Sequence, residues 1–347
     1  MNVIFKPGMS EVRDLMDSLY FLYNNNYKKM VEIFNLKPDK AVEEALEILS
    51  EKVDFKIRHR DLFFKEDIFT APSLVAFETL EECDTAMDFI KALRSLDEED
   101  VKFRVLKDLS NDTSLGDEEI KNILKDEKKT FEFIGKLQIS SSIKWEAFEF
   151  FQDIKTSIIE LADFLEAYYP LCISVMKKNK DAIKEFNTYL KNGIENEGED
   201  FIKTITIEAV DLSDVDELYV ASAFFNSHSL SFSSKGTKIH IYFGMKFEEA
   251  VKGVLGEEQI EVNLNILKNI SDKTRFQILM LLKDKEMYGQ EIADKVGITM
   301  ATVSYHMSYL LVSNIVIIGK VGHKGYYKLN KETLKKNVEF LKEIFNL

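Results

Sequence analysis

Side chains suited to DNA contact lie close together near the C-terminus of this 347-residue chain. Residues 299–311 predict a helix with two faces, and small hydroxyl groups and aromatic rings lie opposite the apolar face. Hydroxyls bind phosphates and base edges, and apolar atoms contact thymine methyl groups. The residues expected to contact DNA from this helix are Thr299, Met300, Thr302, Ser304, Tyr305, His306 and Ser308. The same face could instead be the solvated surface of a structural three-helix unit. For His306, at the edge between the two faces, an imidazole bonded to the backbone is favoured over a DNA contact.

A cationic hairpin is predicted directly after this helix. Residues 315–318 are β-branched, residues 326–329 alternate in polarity, and a glycine-rich turn separates them. The predicted tip carries Lys320, His323 and Lys324. Cations at such a tip are suited to holding a phosphate backbone, so DNA contact is favoured over the purely structural alternative.

The elements around these residues are predicted from local signals. Ser271 or Asp272 can cap a helix rich in apolar residues, and a short helix over residues 290–296 ends at Gly297. Gly297 supplies the positive φ that a tight turn between helices needs, and Thr299 is suited to cap the next helix. The core side of that helix is predicted to carry Val303, Met307, Leu310 and Leu311.

Three motifs in this order resemble the ArsR-type winged-helix repressors. The first helix carries Asp272, Thr274, Arg275, Ile278 and Leu279; the second motif consists of Thr302, Val303, Ser304, His306 and Leu310; the third consists of Gly322, Tyr326, Tyr327 and Leu329. The resemblance covers about a quarter of the chain. It implies a winged helix-turn-helix that binds palindromic operators as a dimer, usually as a repressor.

The family's usual metal ligands are missing from the sequence. Metal-sensing members often hold a cysteine pair where this chain has Met287, Tyr288 and Gln290. Other members place histidines on the C-terminal helix, and residues 332–347 contain none. Because soft and borderline metals prefer thiolate and imidazole ligands, we expect no metal site and no cofactor.

The DNA partner is expected to be an A·T-rich duplex. Arg275 is the single arginine of residues 264–347, and its place in the first helix favours a structural hydrogen bond or a phosphate contact. Bidentate reading of guanine by arginine is therefore largely missing, which leaves methyl contacts, DNA shape and lysine–phosphate contacts. Tyr305 stands where the family often has a histidine.

The charge of the chain is divided between its two ends. The formal net charge is −14, but residues 264–347 hold 13 lysines and arginines against 8 aspartates and glutamates. The preceding residues carry the excess negative charge, and we expect them to project away from DNA. Two widely spaced cysteines indicate no disulfide framework, and with no signal peptide or apolar run of membrane length we expect a cytoplasmic, bacterial protein.

The fold class predicted from these patterns is mainly α with a small antiparallel β part. A large helical domain over residues 1–192 is expected to precede a small α+β segment over residues 201–255 and a winged-helix domain over residues 260–347. Residues 192–200 are polar and acidic and predict a hinge. Helices are predicted over residues 11–24, 38–52, 80–96, 117–137 and 144–168, and strands over residues 218–225, 229–233 and 238–243.

No catalytic motif is recognisable in the N-terminal region. His240, within a predicted strand, is interpreted as a satisfied structural residue rather than a base, and Asp97–Asp100 as a helix break rather than a calcium site. The aromatic-rich helix that begins near Trp145 is interpreted as core or dimer interface, and Cys83 and Cys172 as buried apolar residues.

The predicted function is therefore that of a non-enzymatic DNA-binding transcriptional regulator, expected to be a repressor and a homodimer. The N-terminal domain would be a platform for dimerisation and for a small-molecule or protein effector. Two alternatives stay open: a winged helix that docks a protein partner, and a ligand-processing enzyme fused to a DNA-binding module.

Overall fold

The computed structural model of the protein describes residues 1–32, 36–65, 70–110, 115–206, 210–255, 259–298, 300–321 and 324–347. Within these ranges, only the backbone is described for residues 253–255, 259, 290, 300, 301, 304, 320, 321, 324 and 325. We refer to the described part of residues 1–255 as the N-terminal body and to that of residues 259–347 as the C-terminal domain.

The N-terminal body begins with a strand and continues through a series of helices. These elements are β1 (Asn2–Phe5), α1 (Pro7–Asn24), α2 (Tyr27–Glu32), α3 (Lys40–Ser50), α4 (Arg60–Phe64), α5 (Phe77–Glu82), α6 (Ala86–Arg94), α7 (Glu98–Leu109), α8 (Asp117–Leu124), α9 (Glu127–Lys136), α10 (Ser141–Gln152), α11 (Ile154–Met176), α12 (Lys180–Glu197) and α13 (Glu199–Ile205). Helices α1 to α11 pack around one apolar core that includes Leu19, Phe63, Phe89, Phe150 and Leu165.

Capping residues divide several helices that the sequence patterns predicted as continuous. Asp88 Oδ2 accepts a hydrogen bond from the Thr85 amide at 3.1 Å where α6 begins, so the helix predicted over residues 80–96 is two helices. Asp126 accepts a hydrogen bond from the Lys129 amide and starts α9, which divides the helix predicted over residues 117–137. Asp97 accepts hydrogen bonds from the amides of Glu99 and Asp100, which agrees with the helix-break interpretation of this acidic run.

The expected hinge at residues 192–200 is wrong in its extent. Helix α12 continues to Glu197, and the chain breaks its helical conformation only at Gly198, where φ is 57°. Apolar packing of Ile194 and Phe201 beside the sheet holds both helices on the body. Polar composition alone therefore overstated the length of the break.

Three further strands join β1 in a mixed sheet. Strands β2 (Glu217–Ala223), β3 (Leu230–Lys235) and β4 (Lys238–Gly244) lie where the sequence predicted strands, and the sheet order is β1-β2-β4-β3. The pairs β1–β2 and β2–β4 are parallel, and only β3–β4 is antiparallel. The expectation that this sheet is antiparallel is therefore wrong. Residues Ile239–Phe243 are buried on both faces of β4, as is typical of a central parallel strand.

Helix α1 is fixed to the end of β2 by buried polar groups. Ser10 Oγ accepts a hydrogen bond from the Ser222 amide at 2.8 Å, and Asp14 Oδ1 accepts one from the Phe224 amide at 2.7 Å. Burial raises the pKa of Asp14 to about 8, against the lowering effect of the hydrogen bonds from the Phe224 and Phe225 amides. The first helix of the chain is thereby joined to a strand about 200 residues later.

The C-terminal domain follows α14 (Phe247–Leu255). Its elements are α15 (Gln259–Ser271), α16 (Lys273–Leu282), α17 (Gly289–Val296), α18 (Met300–Val312), β5 (Val316–Val321), β6 (Lys324–Leu329) and α19 (Lys331–Phe345). Strands β5 and β6 form an antiparallel hairpin, which we call the wing. The predicted fold class, mainly α with a small antiparallel β part and a C-terminal winged helix-turn-helix, is confirmed.

The wing is attached to the N-terminal body at two places. Val210 forms a parallel bridge with Ile318 of β5, and the Asp211 amide donates a hydrogen bond to the Ile318 carbonyl at 2.9 Å. On the other strand, β6 lies beside β3, the edge strand of the mixed sheet. The sequence patterns gave no indication of either attachment. Among the described residues, no helix is long and apolar enough to span a membrane.

Replacing Gly8 by alanine is expected to destabilise the N-terminal body by about 3 kcal/mol, because overpacking against rigid backbone is costly. An added Cβ would lie 1.9 Å from the Cys83 carbonyl oxygen and 2.7 Å from the Asp84 carbonyl carbon. Gly135→Ala in α9 is the matched control, since a Cβ there meets nothing within 4 Å. It should stabilise the helix by about 0.5–1 kcal/mol. Urea unfolding followed by circular dichroism measures both, and equal stability of the two variants would contradict the packing of α1 on residues 83–84.

Candidate nucleic-acid interface

A tight turn between α17 and α18 sets the position of α18. Gly297 has a φ of 78°, and its amide donates to the Ala293 carbonyl at 2.8 Å, which ends α17 in the left-handed conformation predicted for this residue. The Ile298 amide donates to the same carbonyl at 3.1 Å. At the other end of α17, a Glu291 carboxylate oxygen accepts a hydrogen bond from the Tyr288 amide at 3.3 Å. Both ends of the short helix are therefore satisfied locally.

The predicted core face of α18 is confirmed. Val303 and Leu310 are fully buried, Met307 is 1 % exposed, and Leu311 packs against the same cluster from its edge. Their partners include Ile278 of α16 and Ile292 of α17. This burial leaves the opposite face of α18 directed outward.

Three of the predicted contact residues lie on or near the outward face of α18. Tyr305 is 41 % exposed, whereas Thr302 and Ser308 are partly buried. The Ser308 hydroxyl donates to the Tyr305 carbonyl at 2.8 Å, so its proton is directed back to the helix and its lone pairs stay outward. Tyr305 and Tyr309 pack edge to face with ring centroids 5.3 Å apart. The face therefore presents an aromatic ring flanked by hydroxyl groups.

Six further predicted contacts fall wholly or partly outside the described part of the structure. Thr299 and His323 lie outside the described residues, and the side chains of Met300, Ser304, Lys320 and Lys324 lie outside the described side chains. The backbones of Lys320 and Lys324 belong to β5 and β6. Those two lysines are thus placed near the tip of the wing, as the pattern predicted.

Asp272 joins α16 to α18 through a group that we call the Asp272 cluster, which consists of Asp272, Arg275, His306 and Tyr309. Asp272 caps α16 by accepting a hydrogen bond from the Arg275 amide at 2.9 Å. Its Oδ1 also lies 3.8 Å from Arg275 Nε and 3.7 Å from His306 Nδ1. The guanidinium carbon of Arg275 lies 4.7 Å from the centroid of the Tyr309 ring. One carboxylate thus contacts both helices.

Arg275 has a structural role in this cluster. Its side chain is only 12 % exposed, and Nε donates to the Asn269 carbonyl at 3.2 Å. Of the two alternatives that its position allowed, the structural hydrogen bond is the one observed. The sequence did not indicate its cation–π contact with Tyr309, because 34 residues separate the two.

His306 lies at the edge of the core, as predicted. Its side chain is 12 % exposed, but its buried Nδ1 has no hydrogen-bond partner among the described residues. The expected hydrogen bond between the imidazole and the backbone is therefore not formed at this nitrogen. Burial lowers the pKa of His306 more than the nearby Asp272 carboxylate raises it, so the neutral form is favoured. We therefore assign His306 to the contact between α16 and α18.

The wing carries an ion-paired lysine that the sequence did not single out. Lys328 Nζ lies 3.5 Å from Asp211 Oδ2 in the N-terminal body and 3.6 Å from Glu286 Oε1. Met287 exchanges two backbone hydrogen bonds with Tyr327, which adds a bridge to the outer edge of β6. The base of the wing is therefore fixed on both sides, and its tip carries Lys320 and Lys324.

Other candidate groups of the sequence are structural. His240 is fully buried, stacks on Phe77 with centroids 3.6 Å apart, and contacts Glu81 Oε1 through Nε2 at 3.2 Å. Its buried Nδ1 has no hydrogen-bond partner among the described residues, so the interpretation as a satisfied residue holds for one ring nitrogen only. Burial lowers its pKa to about 4 despite Glu81.

Cys83 and Cys172 are buried free thiols, which confirms their interpretation, whereas Trp145 is 64 % exposed and is not a core residue. Within the described ranges, no three His, Cys, Asp or Glu side chains are grouped closely enough to hold a metal ion.

Comparison with known proteins agrees with this geometry. The family model described as bacterial regulatory protein, arsR family, matches residues 272–317. The transcriptional repressor SdpR of Bacillus subtilis is 32 % identical over 82 residues, which are 24 % of this chain and 91 % of that protein.

Two further relatives match the same C-terminal region. The arsenical resistance operon repressor of Staphylococcus xylosus is 36 % identical over 69 residues, 20 % of this chain and 66 % of that protein. The transcriptional activator HlyU of Vibrio cholerae is 25 % identical over 80 residues, 23 % of this chain and 74 % of that protein. No solved structure gives a significant match.

Replacing Asp272 by alanine is expected to loosen α16 and α18 together. Loss of a helix cap costs about 1 kcal/mol, so amide exchange in the first turn of α16 should rise about fivefold. Asp272→Asn keeps a capping oxygen but removes the charge beside Arg275 and His306, so exchange should rise in α18 while the first turn of α16 stays protected. Hydrogen–deuterium exchange with mass spectrometry measures both regions.

Ser271→Ala is the control for these variants, because the exposed Ser271 hydroxyl donates to the Lys268 carbonyl within α15 at 2.9 Å. Unchanged exchange of α18 in both Asp272 variants would show that this carboxylate does not join the two helices.

Proposed function

Because the chain belongs to the ArsR family of bacterial regulatory proteins through its C-terminal domain, we propose that it is a repressor that binds operator DNA as a homodimer. The coarser function, that of a DNA-binding transcriptional regulator, follows from the family itself. The observation that carries the proposal is the outward face of α18, where exposed Tyr305 lies between Thr302 and Ser308. A helix presented after a tight turn in this way is suited to the major groove.

Repression is the finer part of the proposal. SdpR and the arsenical resistance protein are named repressors, whereas HlyU is named an activator. A repressor acts by occupying its operator, which needs only binding and release. In a strain that lacks the protein, transcription from the promoter that it binds should rise; a fall would make it an activator.

The outward face of α18 supports an A·T-rich operator. Arg275 is held by Asn269 and Tyr309, so the single arginine of the domain does not reach a guanine. Tyr305 offers an aromatic edge for thymine methyl groups, and Lys320 and Lys324 near the wing tip are suited to phosphates. Sequence preference should then come from methyl contacts and DNA shape.

Selection of binding sites from random duplex at two salt concentrations tests this mode of recognition. Lys320→Ala and Lys324→Ala should each weaken binding to all DNA sequences about equally. Each should also reduce the slope of log affinity against log salt by about 0.9. Thr302→Ala and Tyr305→Ala should instead change the preferred bases. Lys191→Ala in α12 is the matched control and should leave both quantities unchanged.

A selected consensus with a G·C-rich core would contradict the proposed readout. If no duplex is bound at either salt concentration, the winged helix would instead dock a protein partner.

The proposed dimer contact lies on the C-terminal domain rather than on the N-terminal domain favoured from the sequence. Of the 13 large apolar side chains that are exposed among the described residues, 9 belong to residues 260–347. Ile260 and Leu264 lie one turn apart on α15, and Val338 and Phe345 lie two turns apart on α19. The two helices pack together, and the side-chain amide of Asn337 donates a hydrogen bond to Asn263 Oδ1 at 2.8 Å. Such a concentration of exposed apolar surface marks an interaction site, here for a second copy of the chain.

Leu264→Asp and Phe345→Asp are expected to convert the dimer into a monomer, because an unpaired carboxylate in an apolar interface is costly to desolvate. A monomer has a single copy of α18 to contact DNA, so its affinity for the operator should fall by about 100-fold. Ile159→Asp in α11 makes the same change at an exposed apolar position of the N-terminal body and serves as control. Sedimentation velocity measures the mass of the particle in solution. If both variants stay dimeric, the dimer contact lies on the N-terminal body instead.

The N-terminal body is the proposed effector platform. The wing depends on it through the Asp211–Ile318 hydrogen bond, the Lys328–Asp211 ion pair and the contact between β3 and β6. A ligand that changes the position of the mixed sheet would therefore change the position of the wing. We propose no catalytic role for the body and no metal site for the chain.

A further inference from the structure

A cavity of about 900 Å³ lies in the N-terminal body between α1, α5, α7, α8 and the mixed sheet. This volume is in the range that holds a drug-sized molecule. Its walls are largely apolar and include the side chains of Met16, Val75, Phe77, Leu80, Phe103 and Tyr242. The cavity is therefore suited to a ligand with a sizeable apolar or aromatic body.

The less exposed cations of this cavity already have carboxylate partners. Arg13 Nε lies 2.6 Å from Asp17, Arg104 Nη2 lies 3.6 Å from Asp100, and Lys107 Nζ lies 2.8 Å from Asp117. The other three cations, Lys121, Lys125 and Lys235, are more exposed and therefore hydrated. An anionic ligand would have to break ion pairs or compete with water, so the walls do not favour one.

Asp108 is the exception among the charged groups of the cavity. Its carboxylate accepts a hydrogen bond from the Ser73 hydroxyl, and among the described residues no lysine or arginine nitrogen lies within 4 Å of it. The side chain is partly buried at the apolar wall, and burial raises the pKa of Asp108 to about 7 against the Ser73 bond and the charges of Lys107 and Arg104. A cation placed beside it would restore the ionised form.

We propose that this cavity binds a hydrophobic organic cation, with the charged centre beside Asp108 and Ser73 and the apolar body against Phe77, Phe103 and Tyr242. A carboxylate that has no ion-pair partner can form a charge-assisted contact with a cationic ligand. The rings of Tyr242 and Phe103 already lie against Arg13 at 5.2 Å and Lys107 at 5.5 Å, so they offer the ligand apolar area rather than a free cation–π face.

Occupation of the cavity has a direct route to the wing. Residues Ser233–Lys235 of β3 line the cavity, and β3 lies beside β6. A ligand that fits only one position of β3 would therefore change the affinity for DNA. This second step rests on the proposed function, whereas binding to the cavity does not.

Calorimetric titration of the full chain with tetraphenylphosphonium and tetraphenylborate tests the site, because the two ions have nearly the same shape and opposite charge. The phosphonium should bind one per chain with a Kd at least about tenfold below that of the borate, and Asp108→Asn should raise that Kd about tenfold. Asp181→Asn, an exposed acid of α12, removes the same charge elsewhere and should leave the Kd unchanged.

Three results would each overturn the proposal. The borate binds as tightly as the phosphonium, Asp108→Asn binds the phosphonium equally well with an unchanged thermal melt, or neither ion binds. A separate titration with the selected operator duplex measures coupling. The phosphonium should shift DNA affinity at least threefold in the unmodified chain and not in Asp108→Asn. If the phosphonium binds without this shift, the coupling to DNA is refuted, while the proposal of the binding site stands.

Discussion

The carboxylate of Asp272 lies between the two helices on which the proposed DNA contact depends. It caps α16, lies beside the guanidinium of Arg275 and faces His306 of α18. Burial of Val303, Met307 and Leu310 decides which face of α18 is turned inward, but apolar packing alone tolerates sliding along the helix axis. The Arg275 guanidinium over the Tyr309 ring and the Asp272 oxygen 3.7 Å from His306 Nδ1 add polar contacts at one point of this interface, so the Asp272 cluster opposes such sliding. The outward position of Tyr305 depends on this arrangement, because its ring packs on Tyr309, which in turn lies on Arg275.

Opposite charges shape how the two parts of the chain meet. Lys328 at the base of the wing contacts Asp211 of the N-terminal body and Glu286 of its own domain. Its charge is thereby largely neutralised, and the positive potential of the wing is left to the lysines near the tip. An exposed ion pair of this kind contributes little stability by itself. Its effect is mainly one of position, because the adjacent backbone hydrogen bond from Asp211 to Ile318 holds the wing edge against the body.

The predictable features were those that short stretches of sequence determine. The cap at Asp272, the left-handed Gly297, the buried face of α18 and the strands of the wing each depend on a few neighbouring residues. Contacts between distant segments were not predictable: β1 pairs with β2 across more than 200 residues, and Val210 bridges Ile318. Helical periodicity also hid the breaks at Thr85 and Asp126, because apolar spacing continues through them. Asp108 belongs to this second group, since its cavity exists only after α1, α7 and the sheet have packed.

Attachment at two places makes the wing follow the mixed sheet. The segment at Val210–Asp211 holds β5 and precedes β2, while β3 lies beside β6. A free hairpin would lose conformational freedom when it contacts DNA, and that entropy opposes binding. A wing already held by the sheet would lose less, so in the proposed function the body would strengthen binding when the sheet is correctly placed and weaken it when the sheet moves. The same contacts therefore allow a ligand in the body to act in either direction, and the sign depends on which position of β3 the ligand fits better.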